Sequence, residues 1–206
     1  FVMQSLSHPM FVKELDDVVP RIAHLGRLVS LSQALVKVAS PGVPDYYQGC
    51  ELWDFSLVDP DNRRPVDYDL RRKLLQKDAN PLKDLGDGRA KLHIIRKGLE
   101  LRRRLPQLFH GARYTPLYAD AGMEEKICPF SLSDQKDCMV AVAPRLFASM
   151  LGNDLYPMGE KIWRESRLVL PEGEFTDALT GRRIAGGSQR VADLLADFPV
   201  ALLSRA

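Results

Sequence analysis

The stretch SPGVPDYYQGCELWDFSLVDPDNRRPVDYDLRRKLL, residues 40–75, decides how the rest of the chain is read. It opens on Ser40-Pro41-Gly42, which ends a helix because proline biases the residue before it away from the α region. Residues 43–66 follow, rich in Pro, Asp, Tyr, Trp and Asn. They read as a short strand and then a long irregular loop. Pro65-Val66-Asp67 starts the next helix, in which Leu70, Leu74 and Leu75 supply an apolar face.

The loop has an unusual mixture of side chains. Asp45, Glu51, Asp54, Asp59, Asp61 and Asp67 lie among Tyr46, Tyr47 and Trp53, and Arg63 and Arg64 are adjacent. Mixtures of this kind bind sugars. Aromatic faces stack on pyranose rings, while carboxylates, amides and guanidinium groups hydrogen-bond the hydroxyls. An arginine can also grip a carboxylate with two hydrogen bonds and so stiffen a loop. The same composition equally fits an ordinary surface turn, with Arg63 or Arg64 paired to a neighbouring aspartate. Composition alone leaves both readings open.

Working outward, residues 10–39 read as helical, with a break and restart over Asp16–Arg21 around Pro20. After it Ile22, Leu25, Leu28, Leu31, Leu35 and Val38 recur at helical spacing. Asn80-Pro81 and Gly86-Asp87-Gly88 mark a surface loop. Residues 89–105 form the clearest helix: Leu92, Ile95 and Leu99 give an apolar face, and Arg102-Arg103-Arg104 complement the negative end of the helix dipole. Pro106 stops it. From about residue 111 short apolar runs alternate with turn residues: Tyr114–Tyr118, Lys126–Leu132, Cys138–Ala143, Ser166–Leu170 and Phe198–Leu203. Thr180-Gly181 and Gly186-Gly187 are turn signals between them. The chain therefore divides into a mainly helical part, residues 1–110, and an antiparallel β domain, residues 111–206.

Composition excludes several function classes. The 206 residues are 45% hydrophobic and 27% charged, with a net charge of +2. That balance is ordinary for a globular protein and offers no basic field for nucleic acid. No apolar run reaches the about 18–20 residues that span a bilayer, and the first residues carry no signal-peptide pattern. A chain that starts at Phe1 reads as a fragment or a processed product. The three cysteines Cys50, Cys128 and Cys138 form no CxxC pair, so neither a disulfide framework nor a zinc site is expected, and a reducing, cytoplasmic compartment is the simplest reading. His8, His24, His93 and His110 show no metal-ligand spacing. No glycine-rich phosphate loop and no GxSxG are present. We expect no cofactor and no metal.

PGVPDYYQG (41–49) followed by ELWDFSLVDPDNRRPVDY (51–68) resembles a segment of the maltooligosyl trehalose synthases. In the wider α-amylase superfamily this segment is a PGxPxxYxG strand and loop with a DPxxRxP element after it. DGRAKLHIIRKGLELRRRLPQLFHGARYTPL (87–117) resembles that family's last barrel helix and its passage into the β domain. VAVAPRLF (140–147), Trp163–Leu170, DALTGRR (177–183) and LLADFPVALLSR (194–205) resemble its terminal β domain. The resemblance covers essentially the whole chain, and DPDNRRPVDY is its most specific part. It implies an α+β fragment: the helices and last strand of a (β/α)8 barrel, with Val43–Tyr47 as the eighth strand, then an antiparallel β-sandwich.

The resemblance also implies an activity. Family members act on malto-oligosaccharides and convert the reducing-end α-1,4 link into an α,α-1,1 link. Such chemistry needs a nucleophilic carboxylate and a second carboxyl as acid and base. In this superfamily those groups sit on barrel strands that precede the matched region, so no catalytic residue is assigned here. Asp45, Tyr47, Gln48, Glu51, Trp53, Asp59, Asp61, Asn62, Arg63 and Arg64 are the candidates for substrate contact or for bracing the loop. Trp53 or Tyr47 is the sugar platform, unless both are core aromatics, and Arg63 or Arg64 is a brace. The expected partners are a malto-oligosaccharide and the remainder of the barrel, with no nucleic acid and no membrane. Two alternatives stand beside this reading: a non-catalytic carbohydrate-binding or assembly module working through the β domain, and a fragment of an α-amylase-type hydrolase.

Overall fold

A computed structural model of the chain describes residues 1–76, 80–152 and 154–205. A short helix α1 (Val2–Leu6) leads into α2 (Pro9–Ala39). After the long loop come α3 (Tyr68–Gln76), α4 (Arg89–Arg104) and the one-turn α5 (Pro106–His110). Strands β1 (Arg113–Pro116), β2 (Ile127–Ser133) and β3 (Cys138–Pro144) follow. Then come α6 (Glu160–Trp163), β4 (Arg167–Asp177), β5 (Arg183–Arg190), α7 (Val191–Leu194) and β6 (Ala201–Arg205).

Helix α2 runs unbroken for 31 residues through Pro20, so the break expected at Asp16–Arg21 does not occur. Proline removes one backbone donor and crowds the preceding turn, but good helical sequence on both sides carries the helix across. The two ends of α2 have different surroundings. Its buried residues all lie from Leu28 to Ala39, whereas Met10, Phe11, Leu15, Val18, Val19 and Ile22 are exposed. Only the C-terminal part rests on the rest of the chain, against α4 and β3. At the crossing with α4 the backbones approach closely: a Cβ on Gly98 would overlap both γ-carbons of Val38. Pro106 starts α5 as its first residue while also ending α4, the position at which its missing N–H costs nothing.

Residues 43–47 do not form a strand. A barrel strand is held by parallel neighbours on both sides, and among the described residues no segment pairs with it. The segment is therefore held by side chains. Arg102 on α4 donates to Val38 O and Ser40 O, both at 2.9 Å, and to Gly42 O. Its guanidinium lies 4.0 Å from the centre of the Phe109 ring. Gly42 N donates to Phe109 O at 2.9 Å.

The six strands form one antiparallel sheet in the order β1-β2-β3-β6-β4-β5. A sandwich needs two sheets; here a single sheet bends back on itself instead. The bend is at a bulge in β4 between Leu170 and Glu174, and bulges raise local twist and curvature. Ala119, just beyond β1, then bridges Leu168 of β4. Strand β5 was not legible in the sequence because Gly186-Gly187 looks like a turn. Both glycines sit inside β5 opposite the bulge. A Cβ on Gly186 would overlap Pro171 O, and Gly187 has φ +77°, so the bulge demands residues without side chains. Thr180-Gly181 is the turn between β4 and β5, closed by Gly181 N to Asp177 O at 2.8 Å. Strand β3, central and flanked by β2 and β6, is buried along its whole length. One continuous apolar core links Leu28–Ala39 of α2, Ile94 and Leu101 of α4 and the inward faces of the sheet.

His93 ties α4 to the β4–β5 turn. Its Nε2 is 2.8 Å from Leu179 O, and Phe198 lies beside its ring at 5.8 Å between centroids. Burial holds the imidazole below its ordinary value of 6.5, and Arg96 and Lys97 push the same way.

Two outcomes are expected. Gly98→Ala gains helix propensity, yet the overlap with Val38 should leave it destabilised by about 1–2 kcal/mol in urea unfolding. Val38→Ala in the same background should recover part of that loss. For His93, the folded chain binds the proton more weakly than the unfolded one. Its contribution is complete above the unfolded value and is lost as pH falls through it. The urea midpoint should therefore drop between roughly pH 7.5 and 5.5 and drop less in His93→Gln; parallel slopes for the two proteins would refute this.

Candidate functional site: the loop of residues 40–67

The loop leaves α2 under the grip of Arg102 and returns at α3. Its base is fastened first. Trp53 Nε1 donates to Leu85 O at 2.5 Å, and the half-buried indole packs on the core. Gly88, with φ +77°, leaves room for the backbone of Leu52 and Trp53. Lys91 Nζ donates to Leu52 O at 3.0 Å. Trp53 is thus a wedge between loop and α4, with its one polar atom already used.

A second fastening joins the loop to α3. Arg71 is bonded to Glu51 Oε2 at 2.8 Å, to Gly49 O at 2.6 Å and to Asp67 O at 2.9 Å. Its side chain is only 14% exposed, so this pair is far less screened than those at the surface. Arg71 was missed in the sequence reading. It lies 20 residues from its partner, and no local spacing connects them.

The outer loop braces itself. Arg63 holds both carboxylate oxygens of Asp59, and Arg64 holds Asp61. Asp61 Oδ2 also accepts from Leu57 N at 2.8 Å. A turn of 3-10 helix, Asp61–Arg63, places both arginines. Asn62 Oδ1 is buried without a hydrogen-bond partner. The apolar tip residues Phe55, Leu57 and Val58 are exposed, and Arg27 of α2 lies 5.9 Å from the Phe55 ring centre. The run DFSLVDP carried that signal, but the reading weighted its carboxylates instead.

Of the other candidates, Asp45, Tyr47 and Gln48 are exposed on the inner part of the loop. Tyr47 is 48% exposed, so its ring has a free face. The backbone carbonyl of Asp45 accepts from Lys37 Nζ at 2.9 Å. The structure therefore separates the ten candidates. Asp59, Asp61, Arg63 and Arg64 are self-paired at the tip with the Asn62 oxygen buried among them, Glu51 and Trp53 serve as fastenings, and Asp45, Tyr47 and Gln48 remain open. A cavity of about 610 Å3 lies beside the open part, between α2, residues 40–45 and the β2–β3 edge; Val36, Val43, Pro44, Cys128 and Phe147 line it.

Hydrogen bonding sets the acidity of two loop carboxyls. A general acid needs a carboxyl raised towards neutrality. The hydrogen bonds from Ser56 hold Asp54 below its ordinary value, and those from Arg64 and Leu57 do the same for Asp61. A carboxyl pushed upward is found instead in the sheet: burial raises Asp177, which accepts from Leu179 N, Leu202 N and Thr180 Oγ1. That group is spent on holding the β4–β5 turn. Among the described residues no cluster of His, Cys, Asp and Glu has the arrangement of a metal site, and no helix is long and apolar enough to cross a membrane.

Arg71→Ala should strand Glu51 and Gly49 O and lower stability by about 1–3 kcal/mol. Limited proteolysis should show earlier cutting within residues 48–66 than in the parent chain. Arg64→Ala, which breaks only an exposed pair, should change stability by about 0.5 kcal/mol or less.

No family model matches the chain. A maltooligosyl trehalose synthase of Mycobacterium tuberculosis is 38% identical over 192 residues, which is 93% of this chain and 22% of that protein. The solved maltooligosyltrehalose synthase of Arthrobacter ramosus matches 98% of this chain with a TM-score of 0.79 at 35% identity, over 25% of its own length. A second solved maltooligosyl trehalose synthase matches all of it with a TM-score of 0.72 at 29% identity. An Anoxybacillus α-amylase shares the fold, with a TM-score of 0.53 at 17% identity over 86% of this chain. The chain spans about a quarter or less of these synthases, and the helices and antiparallel sheet match their C-terminal part. By sequence and by structure, the chain is homologous over nearly its whole length to the C-terminal part of the maltooligosyl trehalose synthases.

Proposed function

We propose that this chain is the C-terminal portion of an enzyme that converts the reducing-end α-1,4 link of malto-oligosaccharides into an α,α-1,1 link. The observation that carries this reading is the 38% identity over 93% of the chain. Residues 1–110 are the closing helices of a (β/α)8 barrel, and residues 111–206 form the β domain behind it. The exposed apolar residues of α1 and of α2 up to Ile22 face the remainder of that barrel, which covers them in the complete enzyme. The lone segment Val43–Tyr47 pairs as a strand once its neighbours are present. The complete protein works in the cytoplasm.

The loop of residues 40–67 then forms one wall of the substrate cleft, above the carboxyl end of the barrel strands, where sites of this fold gather. Tyr47 is the sugar platform, and Asp45 and Gln48 supply hydrogen bonds to hydroxyls. Asp59, Asp61, Asn62, Arg63 and Arg64 keep the outer wall rigid, while Glu51 and Trp53 anchor its base. Division of labour of this kind spends the ordering cost in advance, so that the sugar meets a preformed surface. The catalytic carboxyls lie outside this chain, which by itself is inactive.

The test is a hybrid in which this chain replaces the matching quarter of the Arthrobacter ramosus synthase. The hybrid should convert maltopentaose to a product with an α,α-1,1 terminus, read by proton NMR. Tyr47→Ala in the hybrid should lower kcat/KM by roughly tenfold, the loss of about 1.4 kcal/mol of stacking. Trp53→Ala should lower stability instead. A folded hybrid indifferent to Tyr47→Ala overturns the assignment of the platform.

A further inference from the structure

Behind the loop, between α2, the start of α4 and residues 46–50, lies a small cavity of about 130 Å3. Ser30, Gln33, Lys37, Tyr46, Cys50 and Lys91 line it. That volume corresponds to about four waters, enough for one tetrahedral anion. The cavity adjoins the larger one beside the loop, with which it shares Gln33 and Lys37.

Its charge is one-sided. Lys37 Nζ and Lys91 Nζ each donate to a backbone carbonyl, of Asp45 and of Leu52 respectively. An ammonium group has three protons, so each keeps donors to spare. Among the described residues neither lysine forms an ion pair. The carboxylates nearest to Lys91 are occupied elsewhere: Glu51 is bonded to Arg71, and Asp54 accepts from Ser56 N. The Tyr46 ring, 5.2 Å from Lys37 Nζ, offsets part of one charge. The Tyr46 hydroxyl itself is buried and has no hydrogen-bond partner. Burial pushes that phenol up to about 12, so it stays a donor at neutral pH, and burial also lowers Lys91. Neighbouring positive groups in a half-buried site repel, and a buried polar atom left unpaired is destabilising. An oxyanion answers both at once, because it neutralises the lysines and accepts from the hydroxyl.

We propose that this cavity binds a small oxyanion such as phosphate or sulfate, held by Lys37, Lys91 and the Tyr46 hydroxyl. The bound anion locks α2, α4 and the root of the loop together. A free inorganic ion and the phosphate of a phosphomonoester share this chemistry.

The experiment is thermal unfolding of this chain in sodium chloride against inorganic phosphate at matched ionic strength. The melting temperature should rise with phosphate and saturate. Lys91→Met and Lys37→Met should each weaken the apparent affinity by roughly tenfold, and Tyr46→Phe should weaken it several-fold, as expected for loss of one charge-assisted hydrogen bond. Lys161→Met, in an exposed pair and not among the residues that line the cavity, should behave as the parent. Glucose 6-phosphate in place of phosphate distinguishes the two sources: an equal shift admits a phosphomonoester, and no shift restricts the site to the free ion. If the lysine variants do not fold, Tyr46→Phe decides, since it removes a single atom. A shift that does not saturate, or one unchanged in Tyr46→Phe and in the lysine variants, overturns the proposal.

Discussion

The contact on which the rest depends is the junction of α2 with α4. Gly98 lets the two helices meet at Val38, and one turn later Arg102 takes hold of three carbonyls at the end of α2. Helix ends leave carbonyls without partners. Here a single guanidinium takes one of them, Val38 O, together with Ser40 O and Gly42 O just past the helix, and so sets the direction in which residues 41–47 depart. No strand ladder holds that segment, so its path is fixed by Arg102, by Gly42 N on Phe109 O and by Lys37 on Asp45 O. The loop inherits its position from this junction, and the sheet is joined to the same core through α5 and β3.

From there the loop is built in two tiers. Its base is fastened to α3 and α4 by Arg71 and Trp53, groups that are largely withdrawn from solvent. Its tip is held by exposed arginine–aspartate pairs, which contribute little to stability but restrict the shapes that the backbone explores. What remains free is a short inner stretch, Asp45, Tyr47 and Gln48. Exposed polar groups and one half-exposed aromatic ring are thus set on a fastened backbone, the arrangement on which the proposed sugar contact rests. The carboxyls of Asp54 and Asp61 are held below their ordinary values by hydrogen bonds within the loop.

Much of this was legible in the sequence, and the exceptions have physical causes. Helix α4 announced itself through the spacing of Leu92 and Ile95 and through the basic residues at its end. The hairpin strands β2 and β3 did so through apolar runs between turn residues. The β4–β5 turn was marked by Thr180-Gly181. Strand β5 was hidden because its two glycines serve a bulge across the ladder, a requirement set by another strand. Pro20 read as a break because one residue's geometry was weighed above the helical sequence on both sides. In the loop, pairs at short spacing such as Asp59–Arg63 could be anticipated, whereas Glu51–Arg71 and Trp53–Leu85 depend on how α3 and α4 return to it. Long-range partners of that kind leave no local mark.

The central claim is that this chain carries a wall of a glucan-converting site and that the reacting carboxyls belong to the rest of the enzyme. Incubation of the chain alone with maltopentaose, followed by proton NMR at the anomeric positions, tests it most directly. We expect the reducing-end signals to persist and no α,α-1,1 signal to appear. Loss of the reducing end with growth of an α,α-1,1 signal would contradict the account and would make the carboxylates between Asp45 and Asp67 the reacting groups.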